Sequence, residues 1–308
     1  MNRRKIYILI IILLTCAICS LLIYDNRALI SEYIIKIYNM TIDKNVIVPD
    51  YKLNNRNYKY ETFSETDDFV PNNIDEIVNI YYTVLNNGWE DFTFYCPEEY
   101  VECASDVRLV GDNSNYLSLI NNYVSPYNTF SKYNTLIINK NEIHVTIDKL
   151  YSEEEISASN NEVDKILEKL QINTSSPTLS DVKKIHDYLL KIITYDEEYD
   201  LNDKNLITNS NKINGALMDH KAICSGYTDT FAIFMDRLNI PNFKVSSETH
   251  VWNVIYFDGK WSHVDVTWDD DEVNENNSHN FFMIDTEKLF DRDTTEHTFE
   301  EKLYLELN

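Results

Sequence analysis

Two stretches decide the fold of this chain: KAICSGYTDTF, residues 221–231, and ETHVWNVIYFDGKWSHVDVTWDD, residues 248–270. They supply a cysteine, a histidine and an aspartate in that order: Cys224, His250 and Asp265. A thiol attacks a carbonyl carbon only as the thiolate, so it needs a base, and the base needs a third group that fixes its tautomer. The trio therefore predicts a cysteine nucleophile with its general base and its orienting carboxylate.

Cys224 stands at the predicted start of a helix that ends before Pro241. Apolar side chains recur after it at helical spacing: Tyr227, Phe231, Phe234 or Met235, and Leu238. The macrodipole and the unpaired N–H groups at a helix N-terminus favour a thiolate and can donate to an oxyanion. This position suits a nucleophilic thiol.

Asp258-Gly259 predicts a β-hairpin between the runs HVWNVIYF and KWSHVDVTW. A two-residue loop gives the pairs Phe257 with Lys260, Trp252 with Asp265, and His250 with Thr267. His250 and Asp265 then become diagonal neighbours on one face, roughly 7 to 8 Å apart at the backbone. The second strand is expected to continue through Thr267, with His263, Asp265 and Thr267 on its polar face.

The three motifs resemble the core of the transglutaminase-like superfamily, whose fold is similar to that of papain-type proteases. The matching strings are Cys-Ser-Gly-Tyr, His-Val-Trp-Asn and Val-Asp-Val-Thr-Trp-Asp-Asp, and the resemblance covers about residues 176–290. Upstream it includes Tyr195-Asp196 and a helix over Ser180–Ile193.

The resemblance implies an α+β fold with a papain-like or transglutaminase-like core, in which the nucleophile helix packs on an antiparallel sheet. It also implies that Cys224 is the nucleophile, His250 the general base and acid, and Asp265 the orienting carboxylate. The second oxyanion donor is not assigned. Members of the family crosslink proteins, hydrolyse peptides or amides, or have lost activity, so the substrate does not follow from the fold.

Two functions remain open at this point. The first is an acyl-transfer enzyme that acts on peptide or protein amides through a thioester, which water or an amine then resolves. The alternative is a catalytically silent module that holds a peptide or an envelope partner in the same cleft.

The N-terminus predicts a membrane anchor. Arg3, Arg4 and Lys5 precede an almost wholly apolar run over Ile6–Tyr24, which is long enough to span a bilayer. The positive flank should stay in the cytoplasm, so the remaining chain is expected outside the cell membrane. A cleaved signal peptide and lipidation at Cys16 are the alternatives.

The sequence predicts four regions: an anchor at 1–27, a juxtamembrane helix and tether at 28–68, a smaller α+β domain at 69–172, and the transglutaminase-like domain at 173–308. The tether is the polar stretch Asp43–Asp68. The smaller domain has predicted helices at Ile74–Asn87 and Glu153–Leu170, and predicted strands at Asp91–Tyr95 and within Tyr133–Ile147, the latter folded around residues 139–141.

The net charge of the chain limits which molecules it can bind. The chain has 51 acidic against 27 basic residues, a formal net charge of −24, which excludes nucleic acid as a natural partner. The same charge also keeps a protein soluble, so it does not identify a substrate. Location outside the membrane favours peptides or proteins, including cell-wall-linked ones, as substrates.

The remaining cysteines and histidines predict no cofactor. Cys96 and Cys103 either form a disulfide or stay as buried thiols, which leaves Cys224 as the odd thiol.

The histidines do not indicate a structural zinc site, because no zinc motif combines the cysteines with His263, His279 or His297. The acidic run Asp269, Asp270, Asp271 and Glu272 is interpreted as a solvated turn, with calcium coordination as the alternative. Three tryptophans are predicted to lie in the core: Trp252, Trp261 and Trp268. One or two of them could shield a thioester from water.

Overall fold

The computed structural model describes residues 46–138, 141–200, 207–270 and 279–307, together with Tyr24, Asn26, Arg27, Leu29 and Ile30. The chain divides into two units, Met1–Val46 and Ile47–Asn308. The predicted anchor run, apart from its last residue, lies outside the described residues. Within the described part of the chain, none of the helices has both the length and the apolar character needed to cross a bilayer.

The first half of the larger unit mixes helices with a small antiparallel sheet. Its elements in chain order are α1 (Ile74–Asn86), β1 (Asp91–Tyr95), α2 (Cys103–Asp112), α3 (Ser114–Tyr123), β2 (Phe130–Ile138), β3 (Glu142–Lys149) and α4 (Glu153–Lys169). The sheet order is β1-β3-β2. These bounds confirm the predicted helices α1 and α4, the strand β1 and the β2–β3 hairpin.

Alternation and capping explain these elements. In β3 the apolar residues Ile143, Val145 and Ile147 are buried while their neighbours are more exposed, as a half-buried strand requires. Helix α4 begins with a capping box, because Ser152 and Glu155 each bond the other's backbone N–H.

The second half contains the quoted stretches. Its elements are α5 (Leu179–Ile192), β4 (Thr194–Tyr195), β5 (Lys221–Ala222), α6 (Cys224–Arg237), β6 (Asn242–Ser246), β7 (Val251–Phe257), β8 (Lys260–Val264), α7 (Val266–Asp269), β9 (Phe282–Ile284) and α8 (Thr286–Arg292). Strands β4 and β5 pair in parallel, and the antiparallel sheet has the order β6-β7-β8-β9. Helix α6 packs against β6 and β7. The predicted packing of the helix that starts at Cys224 on an antiparallel sheet is therefore present.

The β7–β8 hairpin confirms the predicted loop and part of the predicted register. Asp258 and Gly259 adopt φ values of +50° and +82°, as a two-residue hairpin turn requires. The ladder runs from the pair Phe257–Lys260 to the pair Asn253–Val264.

The predicted strand continuation through Thr267 is wrong. Strand β8 ends at Val264, because the Asp265 carboxylate accepts hydrogen bonds from the backbone N–H groups of Thr267 and Trp268 and so caps α7. The expected pairs of Trp252 with Asp265 and of His250 with Thr267 are not part of the ladder.

Residues 47–68, predicted to be a tether, lie within the larger unit. Arg56 is 4% exposed. It donates to Asp236 from Nε at 3.0 Å and to Asn242 Oδ1 from Nη2 at 2.8 Å. The Tyr60 hydroxyl donates to the carbonyl oxygen of Asn242 at 2.6 Å. This segment is therefore part of the packed structure, which corrects the predicted tether from residue 47 onward.

Cys96 and Cys103 form a disulfide, with their Cα atoms 5.8 Å apart. It joins the segment after β1 to the first residue of α2. Cys224 is a free thiol and is partly exposed. The predicted boundary between residues 172 and 173 stays a prediction.

Candidate active site

Cys224 is the first residue of α6, and Ile223 before it is extended. The position of the helix start is fixed by its surroundings, since Ile223 N donates to the carbonyl oxygen of Ser210 at 2.9 Å. Gly226 lies in the first turn, where a Cβ would meet the Ser210 carbonyl oxygen at 2.5 Å. The remaining turns are anchored by fully buried aromatic side chains: Tyr227, Phe231 and Phe234.

His250 lies just before β7 and is 6% exposed. Its backbone N–H donates to Ser247 Oγ at 3.0 Å. Helix α6 is tied to the same strand at Thr228, whose hydroxyl donates to the Val251 carbonyl oxygen at 2.9 Å. Asn253 Nδ2 returns a bond to the Thr228 carbonyl oxygen at 3.0 Å. These bonds hold the start of α6 beside His250.

Asp265 completes a buried cluster with His250. His250 Nε2 donates to Asp265 Oδ2 at 2.5 Å. The other carboxylate oxygen, Oδ1, accepts from the N–H groups of Thr267 at 2.9 Å and Trp268 at 3.1 Å. The Asp265 carboxylate is therefore held by the His250 ring on one side and by the backbone of α7 on the other.

The electrostatics favour a charged histidine. Burial by itself lowers the pKa of His250, but the Asp265 charge, the hydrogen bond to Asp265 and the smaller influence of Cys224 raise this pKa to about 10. Burial likewise opposes the charge on Asp265, yet His250 and His297 hold the pKa of this carboxyl well below its usual range. Because Cys224 influences this pKa, its side chain lies near the His250 ring. The structure thus brings His250 and Asp265 into direct contact, and the catalytic role predicted for them and for Cys224 stays a prediction.

His297 is a member of the cluster that the sequence did not predict. It is fully buried, and its Nε2 lies 2.9 Å from Asp265 Oδ2, the same oxygen that His250 contacts. Its Nδ1 lies 2.9 Å from Asp293 Oδ2. Because carboxylates only accept, His297 satisfies both of them when both ring nitrogens carry hydrogen. His297 lies 32 positions from Asp265 and in no recognised motif, so no sequence pattern indicates its role.

Aromatic side chains pack around the His250 imidazole. The Trp252 ring lies 5.8 Å from it, centroid to centroid, and 14° from parallel. Trp252 Nε1 donates to His263 Nδ1 at 2.9 Å. Burial and the charge of His297 lower the pKa of His263 to about 3, so His263 is neutral and accepts this bond. His263 therefore holds the Trp252 ring in place.

An open cavity of about 390 Å³ lies beside His250. Its lining residues are Tyr195, His250, Thr267, Trp268, Asp270 and Glu296. Burial raises the pKa of Tyr195 to about 12, and Cys224 adds to the effect, so this phenol keeps its proton. His250 is the member of the buried cluster that lines this cavity.

The predicted solvated turn at Asp269–Glu272 needs correction where the structure describes it. Asp269 is 1% exposed and accepts from the N–H of Phe281 at 2.9 Å. Asp270 accepts a hydrogen bond from the hydroxyl of Tyr227. These two acidic residues are structural acceptors, and residues 271–278 lie outside the described residues.

About a third of the chain matches a known protein family. Residues 165–266 match the transglutaminase-like superfamily. Five solved chains match this one. One is a TGase that is 18% identical, with a TM-score of 0.35 over 54% of this chain and 51% of that one. Another is a candidate cysteine protease from Cytophaga hutchinsonii that is 11% identical, with a TM-score of 0.28 over 44% of this chain and 61% of that one.

In both solved structures the matched part is less than two thirds of the other chain. Curated protein sequences gave no match.

Proposed function

Since this chain carries a transglutaminase-like superfamily domain over residues 165–266, we propose that it is a cysteine acyl-transfer enzyme that acts on peptide or protein amides. The observation that carries the proposal is the buried bond of 2.5 Å between His250 and Asp265, with Cys224 beside it at the start of α6. A thiol, an imidazole and an orienting carboxylate in this order are the minimum set for nucleophilic catalysis by cysteine.

The reaction begins with the Cys224 thiolate and the His250 imidazolium. The sulfur attacks the carbonyl carbon of a carboxamide or peptide bond and forms a tetrahedral intermediate. His250 gives its proton to the leaving nitrogen, the C–N bond breaks, and ammonia or an amine departs. A thioester then joins the acyl group to Cys224.

The second half reverses the proton transfer. Neutral His250 takes a proton from water or from an incoming amine, which attacks the thioester carbonyl. The C–S bond breaks, and the product is a carboxylic acid or a new amide. Asp265 keeps the His250 ring oriented and stabilises its positive charge in both halves.

Helix α6 supplies one side of an oxyanion site. A helix that starts at Cys224 has N–H groups in its first turn without acceptors inside the helix, next to the sulfur. Such donors stabilise the negative oxygen of a tetrahedral intermediate. The second donor stays unassigned.

The proposed setting is the outer side of the cell membrane, with residues 1–27 as an uncleaved anchor and the N-terminus in the cytoplasm. Two observations support it: the apolar run that follows Arg3, Arg4 and Lys5, and the Cys96–Cys103 disulfide, a bond typical of oxidising compartments. The proposed partners are peptides or proteins of the cell envelope, not nucleic acid. The proposed acyl transfer needs no cofactor.

A pooled peptide assay tests the function. The full chain is incubated with peptides that carry glutamine and asparagine amides and with a biotin-labelled primary amine, and mass spectrometry follows three products: the amine adduct, the hydrolysed amide and the acyl group on Cys224. We expect turnover by the wild type and none by Cys224→Ala. The ratio of amine adduct to acid decides between transamidation and hydrolysis.

His144→Ala is the matched control, since this partly exposed histidine pairs with Asp91 in the small sheet. It should keep full activity. Equal turnover by Cys224→Ala would contradict the proposal. A wild-type chain that binds peptides without product or adduct would instead support the silent binding module.

A further inference from the structure

A second group of ligand-type side chains lies apart from Cys224. Two neighbours on α5, His186 and Asp187, meet His279, which precedes β9. Their ligand atoms all lie within 4.8 Å of one another. We propose that these three residues form a binding site for one divalent transition-metal ion, with Zn²⁺ as the best match.

The donor set and spacing suit zinc. Two imidazole nitrogens and one carboxylate oxygen are common zinc ligands, at about 2.0 to 2.2 Å from the ion. In a tetrahedron of that size the ligand atoms are roughly 3.3 to 3.6 Å apart. His186 Nδ1 lies 3.3 Å from Asp187 Oδ1, and His279 Nε2 lies 2.6 Å from the same oxygen. Of these two distances, the first already fits such a site and the second has to lengthen for an ion to enter.

His186 is already oriented as metal-bound histidines usually are. Its Nε2 lies 3.1 Å from Asp269 Oδ2, and both side chains are fully buried. Metal-ligating histidines almost always donate their second ring N–H to a carboxylate or carbonyl, which directs the other nitrogen to the ion. Here the bond to Asp269 directs Nδ1 towards Asp187 and His279.

The two close contacts of His279 Nε2 cannot both be hydrogen bonds. Its Nε2 lies 2.6 Å from Lys183 Nζ and 2.6 Å from Asp187 Oδ1. An ammonium only donates and a carboxylate only accepts, so a single ring nitrogen satisfies one of them. Lys183 Nζ also pairs with Asp187 Oδ2 at 2.9 Å, but its side chain is 45% exposed and can turn to solvent. A metal ion would then replace the Lys183 ammonium and accept lone pairs from both His279 and Asp187.

The site is connected to the candidate active site through backbone. Asp269, which holds His186, also accepts from the N–H of Phe281, whose carbonyl oxygen accepts from the N–H of Asp265 at 2.9 Å. A bound ion would therefore stiffen the region that carries Asp265. The binding itself does not depend on the proposed reaction, so its test needs no substrate.

Zn²⁺ titration of the full chain in the Cys224→Ala background tests the proposal, because this background removes the thiolate that would compete for zinc. Calorimetry should find one tight Zn²⁺ per chain, and X-ray absorption should find nitrogen and oxygen ligands with two imidazoles. His279→Ala should weaken binding by about 100-fold or more. Lys183→Ala should strengthen it, because the competing ammonium is gone.

His279→Gln serves as a second variant of similar size, and circular dichroism checks that each variant is folded. His144→Ala should bind Zn²⁺ as the background protein does. Unchanged affinity in both His279 variants would place the zinc elsewhere and overturn the proposal. Failure of the Cys224→Ala chain to bind Zn²⁺ would also overturn it.

Discussion

Replacing Asp265 by asparagine removes the charge that raises the pKa of His250 while it keeps the size of the side chain. The rise from 6.5 to about 10 corresponds to about 5 kcal/mol in favour of the imidazolium, at about 1.36 kcal/mol for each factor of ten. Burial of the ring remains in the variant and opposes the charged form. We therefore expect the pKa of His250 in Asp265→Asn to fall below 6.5.

Proton–carbon correlation spectra of a chain with ¹³C-labelled histidine measure this change. The Cys224→Ala background prevents oxidation and alkylation of the thiol during the titration, and His250→Gln assigns the signal by its disappearance. With Asp265 in place the His250 signal should move well above pH 6.5, somewhat below 10 because Cys224 is absent, and the Asp265→Asn signal should move at acidic pH. A signal that still titrates above pH 9 in Asp265→Asn would show that Asp265 is not the source of the raised pKa.

Three further predictions concern stability and positioning. Because the folded-state pKa of His250 is raised, its contribution is complete below pH 6.5 and is lost as pH rises to about 10, so the stability difference between the wild type and His250→Gln should shrink by up to about 5 kcal/mol over that range. His297→Gln removes a charge-assisted donor to Asp265 and should lower the free energy of unfolding by about 1–3 kcal/mol. Gly226→Ala should cost about 1–3 kcal/mol, because its Cβ would lie 2.5 Å from a backbone oxygen.

Urea denaturation measures all three. A stability difference for His250→Gln that stays constant from pH 6.5 to 10 would contradict the pH prediction. Unchanged stability of His297→Gln would show that its bond to Asp265 contributes little. Gly111→Ala in α2 is the control for Gly226→Ala, since its Cβ would meet a flexible side-chain oxygen at 3.0 Å. Equal effects of the two glycine variants would contradict the packing explanation.

Much of the fold could be predicted from patterns of residues that are close together in the sequence. The Asp258-Gly259 turn and the strands beside it are determined by residues close in sequence, and so is the helix that starts at Cys224. The end of β8 was predicted wrongly because an aspartate can either continue a polar strand face or cap a helix. Asp265 caps α7, and alternation alone does not distinguish the two.

Long-range contacts account for what the sequence did not predict. Residues 47–68 look like a polar tether, yet Arg56 pairs with Asp236 on α6, 180 positions away. His297 reaches Asp265 across 32 positions, and His279 reaches Asp187 across 92. Such partners are set by tertiary packing, and no spacing rule for helices or strands contains them.

The rate of Cys224 alkylation as a function of pH tests most directly whether His250 activates the thiol. The full chain is treated with iodoacetamide, and mass spectrometry quantifies modification at Cys224 in the wild type and in His250→Ala. If the two residues form a thiolate–imidazolium pair, the wild-type rate stays nearly constant well below the free-thiol value of about 8.5, and the variant loses this plateau. Identical profiles for the two proteins, both rising towards pH 8.5, would contradict the proposed nucleophile.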